Sequence, residues 1–238
     1  MPDEPPQPLQ FDNRNLESKP SYVGWVDMMG ARNAMAHSLG SSSNHIGRIH
    51  AAILRSSDPE VRVYPVMDGA YITSEKKDPM VKTLTGFLML CAQYFASEPK
   101  AEHRFMVRGG LAYGPVIHGC DITTSHNQEL GNAEDYRKNL LFGIPMIQAN
   151  RGEGQAPPFG IFLDESVRSF SGHGAKVFSG VWWKWWNGTN RLPDGFTDRL
   201  KEHFKWSTEH CHRIEYPEDR LKLHSKLAKQ YFDYDETN

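Results

Sequence analysis

An α+β fold is predicted: a ferredoxin-like, split βαβ sheet with helices packed on one face. Two observations carry the prediction. The apolar pattern changes period along the chain in the order strand, helix, strand, strand, helix, strand, which is the order of that unit. The stretch VRVYPVMDGAY, residues 61–71, sets Val61, Val63, Pro65 and Met67 against Arg62, Tyr64, Val66 and Asp68. It then breaks at Asp68-Gly69 and resumes as Ala70-Tyr71-Ile72-Thr73. Alternation on both sides of an Asp-Gly dipeptide is a strong short-range hairpin signal.

The first strand is Tyr22–Asp27, apolar until its last residue. Residues 30–57 carry Ala31, Met35 and Leu39, then Ile46, Ile49 and Ile53, at helical spacing. Gly40-Ser-Ser-Ser kinks or splits this helix, and Asp58-Pro59 ends it. After the hairpin, Asp78 caps a second helix with Pro79 in its first turn. Val81, Leu84, Leu88, Cys91 and Phe95 form its core stripe. His103–Ala112 is a strand that Gly114-Pro115 bends into Val116–Gly119. A polar loop follows at 120–131. Ala133–Ala149 is helical in parts, and Arg151-Gly-Glu-Gly closes it. Phe159–Leu163 is a strand and Glu165 starts a short helix. Ala175–Phe178 and Val181–Trp186 pair as a last hairpin, with one tryptophan of each pair buried. Helices over 194–212 and 218–238 complete the chain.

The organisation is an arm at 1–18, a catalytic domain at 19–180, and a C-terminal extension at 181–238 packed on that domain. At 238 residues the chain buries a substantial core. Its 27 basic residues nearly balance 29 acidic ones, so nucleic acid is not the expected partner. No apolar run reaches the ~18 residues of a membrane span. The start, MPDEPPQPLQ, lacks the features of a signal peptide and reads as a poorly ordered arm. Three widely separated cysteines argue against a disulfide framework and for a reducing, cytoplasmic setting. Asn187-Gly-Thr fits a glycosylation pattern that is idle there. His203, His210, Cys211 and His212 crowd one helix but point apart, so a zinc site is not expected.

The chemistry is expected from two carboxylates. Asp27 ends one strand and Asp68 sits at the hairpin tip. Delivered to one end of a sheet, they would supply hard oxygen ligands for Mg²⁺ or Mn²⁺. Paired ions of this kind serve in-line phosphoryl displacement.

Several stretches resemble the class III nucleotidyl cyclases over roughly residues 20–165. Asp27-Met28-Met29-Gly30 after an apolar strand resembles the family's first motif. Pro65-Val66-Met67-Asp68-Gly69-Ala70 resembles its metal-binding hairpin. Val107-Arg108-Gly109-Gly110-Leu111 through Gly119 resembles its glycine-rich strand. Phe142-Gly143 through Arg151 resembles the helix that ends in its transition-state arginine. The resemblance implies a class III cyclase catalytic domain, with Asp27, Asp68 and the Met28 carbonyl holding two divalent cations, Mn²⁺ or Mg²⁺. It implies that Arg151 stabilises charge on the α-phosphate. It also implies a homodimer whose shared sites take Asp27 and Asp68 from one chain and Arg151 from the other.

Three positions depart from the family. Tyr64 stands where adenylate cyclases place an adenine-reading lysine, Leu140 where the partner acceptor lies, and Ile147 where an asparagine lies. With Tyr64 in the hairpin, the chain resembles the pyrimidine cyclases of bacterial Pycsar anti-phage systems. That likeness implies a uridylate cyclase converting UTP to cyclic UMP, with Tyr64 and Arg108 binding substrate and a separate effector reading the product. The alternatives are CTP, a purine triphosphate, or a non-catalytic nucleotide sensor.

Overall fold

The computed structural model describes residues 10–31, 35, 38–170, 178, 180–187 and 191–234. The sheet has seven strands. Six run in the order β2 (Arg62–Val66), β3 (Gly69–Ser74), β1 (Lys19–Met28), β4 (Val107–His118), β6 (Ile161–Leu163) and β7 (Trp182–Trp183), and β5 (Leu141–Phe142) pairs with β4. The β2-β3-β1-β4 segment is antiparallel throughout. With α1 (Leu39–Ser56) after β1 and α2 (Lys77–Ser97) after β3, this is the expected split βαβ arrangement.

Side chains alternate across β1. Tyr22, Val26 and Met28 join Ile49 and Ile53 of α1 and Met80, Leu84 and Phe87 of α2 in the main core. Val23 and Trp25 face the other way, into a smaller core with Tyr64, Ala112, Val116 and Ala149. Ala149 belongs to α5 (Ile144–Glu153), so the sheet is flanked on both faces rather than one. Two short helices, α3 (Gln128–Asn132) and α4 (Glu134–Arg137), precede α5, and α6 (Glu165–Phe170) follows β6. The C-terminal helices α7 (Phe196–Glu209) and α8 (Glu218–Phe232) close the main core through Phe196, Leu200, Tyr231 and Phe232.

Several elements depart from expectation. The expected split falls just before Gly40-Ser-Ser-Ser, at Ser38, which caps α1 by accepting the Ser41 N–H, while Ala31 and Met35 upstream are helical. Residues 32–34 and 36–37 of the expected helix lie outside the described residues. Asp78 is not the cap of α2: Lys76 is, with no side-chain bond, and Asp78 lies in the first turn, where its charge favours the helix dipole. Gly114-Pro115 does not bend the strand, since β4 pairs with β1 past it to Val116. The hairpin loop is Met67-Asp68 rather than Asp68-Gly69. The tryptophan run pairs with β6; residues 175–177 of its expected partner lie outside the described residues, as do 188–190 with the glycosylation pattern. Trp183 and Trp185 are buried while Trp182 and Trp186 are partly covered, as alternation required. Residues 10–12 are tied down, with Asp12 N–H donating to His126 O at 2.8 Å. Among the described residues no helix is long and apolar enough to cross a membrane.

Candidate active site

Asp27 lies one residue from the end of β1, directly opposite Gly69 of β3 and Arg108 of β4. It shares the α5-side face with Val23 and Trp25. Asp68 occupies the two-residue loop immediately before Gly69. A Cβ on Gly69 would sit 2.4 Å from Val26 O and 3.0 Å from Asp27 Oδ1. Only glycine lets the hairpin close this tightly over β1. The first loop residue, Met67, has φ of 48°, a left-handed conformation unusual for methionine. His50 of α1 holds that turn through its Nε2, 2.9 Å from Met67 O.

The two carboxyl groups meet. Asp68 lies within hydrogen-bond reach of Asp27, and Asp27 is pushed well above the usual carboxylate range. Burial is the largest cause, followed by the charge of Asp68 and then that of Glu153; the Met28 amide opposes them. Asp27 Oδ1 is buried and has no hydrogen-bond partner among the described residues. An orphaned buried carboxylate oxygen beside a second carboxylate fits a hard divalent cation. Met28, whose carbonyl is the third oxygen candidate, is the last residue of β1, and its side chain is anchored in the main core.

Arg108 is close by but already engaged. Its Nε donates to Glu153, and its Nη1 lies 3.2 Å from His224 Nε2. Glu153, at the end of α5, is a third carboxylate at this rim, and sequence reasoning passed over it as part of a helix-closing Arg151-Gly-Glu-Gly. The signal was Gly110. A Cβ there would meet Ala149 O at 2.1 Å and Glu153 N at 3.0 Å, so β4 and the end of α5 touch backbone to backbone.

Tyr64 lies on the same sheet face as Trp25, paired across β3 through Tyr71. It is 5 % exposed, and its hydroxyl is 2.5 Å from His118 Nδ1. The two rings stack at 16° and 6.0 Å. Burial pushes Tyr64 up to about 12 and His118 down. His118 was not anticipated.

Arg151 is not brought to this rim. It is exposed, with no hydrogen bond or ion pair among the described residues. Two positions apart on a helix point roughly 200° from each other, so Glu153 facing Arg108 turns Arg151 outward. Ile144 and Ile147 of α5 are 68 % and 55 % exposed. Leu140 is half-buried before β5.

The C-terminal histidines are dispersed in part. His203 is buried with Nδ1 3.1 Å from Ala101 O, and His210 Nδ1 lies 2.8 Å from Trp206 O. Cys211 and His212 instead gather with Glu218, their ligand atoms within 4.8 Å of one another. This happens because they follow the end of α7 rather than continuing it.

No family model matches the chain, and no curated protein matches it. Solved structures similar to it include an adenylate/guanylate cyclase/hydrolase from Silicibacter pomeroyi, 16 % identical over 66 % of this chain and 82 % of that one, with a TM-score of 0.47. The monomeric guanylyl cyclase domain of the RhoGC fusion protein from Blastocladiella emersonii is 15 % identical over 65 % of this chain and 87 % of its own, at 0.46. A class III adenylyl cyclase-like ATP-binding protein from Pseudomonas aeruginosa is 13 % identical over 83 % of this chain and 45 % of its own, at 0.41.

Proposed function

We propose that this protein is a metal-dependent nucleotide cyclase acting on a pyrimidine triphosphate, with UTP as substrate and 3′,5′-cyclic UMP and pyrophosphate as products. The observation that supports it most is the contact between Asp27 and Asp68, with a buried Asp27 oxygen left unpartnered. Two carboxylates forced together without a cation repel each other, and a cation site relieves both.

The ribose 3′-oxygen forms a new bond to the α-phosphorus as the bond to pyrophosphate breaks, and the hydroxyl proton is released. Asp27, Asp68 and the Met28 carbonyl are the residues that would hold Mn²⁺ or Mg²⁺. Bound there, such cations would lower the pKa of the attacking hydroxyl and offset phosphate charge. Gly69 keeps the two carboxylates at one fixed rim. Arg108, held by Glu153 and His224, presents a rigid cation beside them. Tyr64 contributes the wall on which the base packs, and its hydroxyl, paired with His118, supplies a polar edge among Val23, Trp25 and Val116. A tyrosine in place of a lysine at that position favours a small pyrimidine ring.

Arg151 faces away from its own Asp27. It therefore serves the site of a second copy in a homodimer, where it neutralises charge on the α-phosphate. The exposed Ile144 and Ile147 beside it suit burial in such a contact. The product then acts on a separate effector in anti-phage defence, in the cytoplasm.

Incubating the pure protein with each of the four NTPs and Mn²⁺, then identifying products by mass, tests the reading. Cyclic UMP is expected from UTP alone. Cyclic CMP would reassign the base, a purine product would remove the role of Tyr64, and no cyclic product from any NTP would favour a nucleotide sensor.

A further inference from the structure

A cavity of about 470 Å³ lies between the start of α1, the end of β1 and the C-terminal helices α7 and α8. Its size suits a small-molecule site. Among the described residues, four arginines line it against one carboxylate, Glu102. Two of the arginines are committed elsewhere. Arg104 donates to the carbonyls of Glu98, Pro99 and Arg199 and to Glu202, and Arg108 is paired with Glu153. The other two are held more loosely. Arg213 lies 4.0 Å from Glu102, beyond hydrogen-bond reach, with its guanidinium 5.7 Å over the Trp206 ring. Arg220 has no hydrogen bond or ion pair among the described residues.

Two neutral donors also face this space. Ser207 of α7 is fully buried, and its Oγ has no hydrogen-bond partner among the described residues. An unsatisfied buried hydroxyl costs stability unless a ligand completes it. The second donor follows from His224. Its Nε2 faces Arg108, which can only donate, so Nε2 is unprotonated and Nδ1 carries the hydrogen. Nδ1 therefore donates to Tyr216 Oη, with which it is in contact. That leaves the Tyr216 O–H proton free for a ligand.

We propose that this cavity is a binding site for a polyphosphate anion, with Arg213, Arg220, Tyr216 and Ser207 as its donors. Two sources share that chemistry. One is the triphosphate of the nucleotide substrate, since Met28 and Arg108 border both the cavity and the Asp27 rim. The other is a separate phosphate-bearing effector. The first source rests on the cyclase reading, whereas anion binding itself does not.

Titration calorimetry of the full chain with inorganic tripolyphosphate, in EDTA, tests the site. One-site binding is expected, weakened about tenfold or more by Arg220→Ala or Arg213→Ala and also by Ser207→Ala. The control Arg55→Ala, an exposed arginine in the last turn of α1, should leave the affinity unchanged. No binding at millimolar tripolyphosphate overturns the proposal. So does an equal loss in Arg55→Ala and Arg220→Ala, which would mean diffuse charge attraction, or an affinity that neither Arg220→Ala nor Ser207→Ala alters.

A second arm assigns the source. If the ligand is the substrate's own tail, tripolyphosphate competes with the NTP, and Arg220→Ala raises KM with kcat largely kept. If it is a separate effector, tripolyphosphate binds alongside the NTP. A protein that makes no cyclic nucleotide but retains the tripolyphosphate isotherm would refute the cyclase reading and leave this site standing.

Discussion

Burial fixes the protonation of two histidines on the C-terminal helices. His203 is pushed down to about 4, by burial first and the nearby Arg104 charge, against a bond to Ala101 O that favours the charged form. His224 is also pushed down to about 4, by burial and then by the charges of Arg108 and Arg220. In the unfolded chain each titrates near 6.5. Between these values the unfolded state binds protons that the folded state refuses, so these two histidines cost stability as pH drops from about 6.5 toward 4, while Asp27, raised to about 7, works in the opposite sense. From about pH 7.5 to about pH 5, His203→Gln should therefore lose about 1–2 kcal/mol less stability than the wild type. A series of melting curves on both proteins checks it; the same pH dependence in both would contradict it. The same scale shows what individual residues disclose. Asp27 and Asp68 were legible because each interrupts an apolar pattern at a strand end or tip. His118 and Glu153 were not, because neither breaks a pattern, and their partners Tyr64 and Arg108 lie 54 and 45 residues away.

At the scale of elements, the approach of α5 to β4 sets the rim. Gly110 has Ala149 O where a Cβ would stand, at 2.1 Å. Gly110→Ala must push α5 off the sheet, and with it Glu153 away from Arg108. An overpacked contact of this kind costs about 1–3 kcal/mol. Urea unfolding should show a lower midpoint with an unchanged slope, and Arg108 should be released from its partner. Unaltered stability would mean that the helix already has room to shift. The order of elements along the chain was legible here from the alternation of periods, and it pointed to the split βαβ unit that the sheet order β4-β1-β3-β2 matches. The face chosen by α5 was not: its sequence IPMIQANRGE has apolar residues on both sides, and Ile144 and Ile147 stay exposed. Turn chemistry misled in two places. Gly69 is glycine for the close approach of Val26 O rather than for its own backbone angle, and the break near the serine run lies at Ser38, two residues before Gly40, rather than at Gly40-Ser-Ser-Ser itself.

At the scale of the whole molecule, the proposed dimer accounts for the exposed position of Arg151. Helix geometry turns Arg151 outward while Glu153 faces in. In the proposed twofold dimer each copy would lend Arg151 to the other's site. On that reading Asp68→Ala removes a proposed metal ligand and Arg151→Ala the proposed cation, so each variant alone should be inactive. Mixed in equal amounts and allowed to exchange, half of the dimers carry one of each. In such a dimer one site collects both lesions, and the other has Asp68 from the Arg151→Ala chain and Arg151 from the Asp68→Ala chain. Half the dimers with one intact site of two should return about a quarter of wild-type turnover. Cyclic product formation before and after mixing measures it, with dimerisation followed by light scattering. A mixture that exchanges subunits and stays inactive would place Arg151 outside the site, and the outward face of α5 would then need another role.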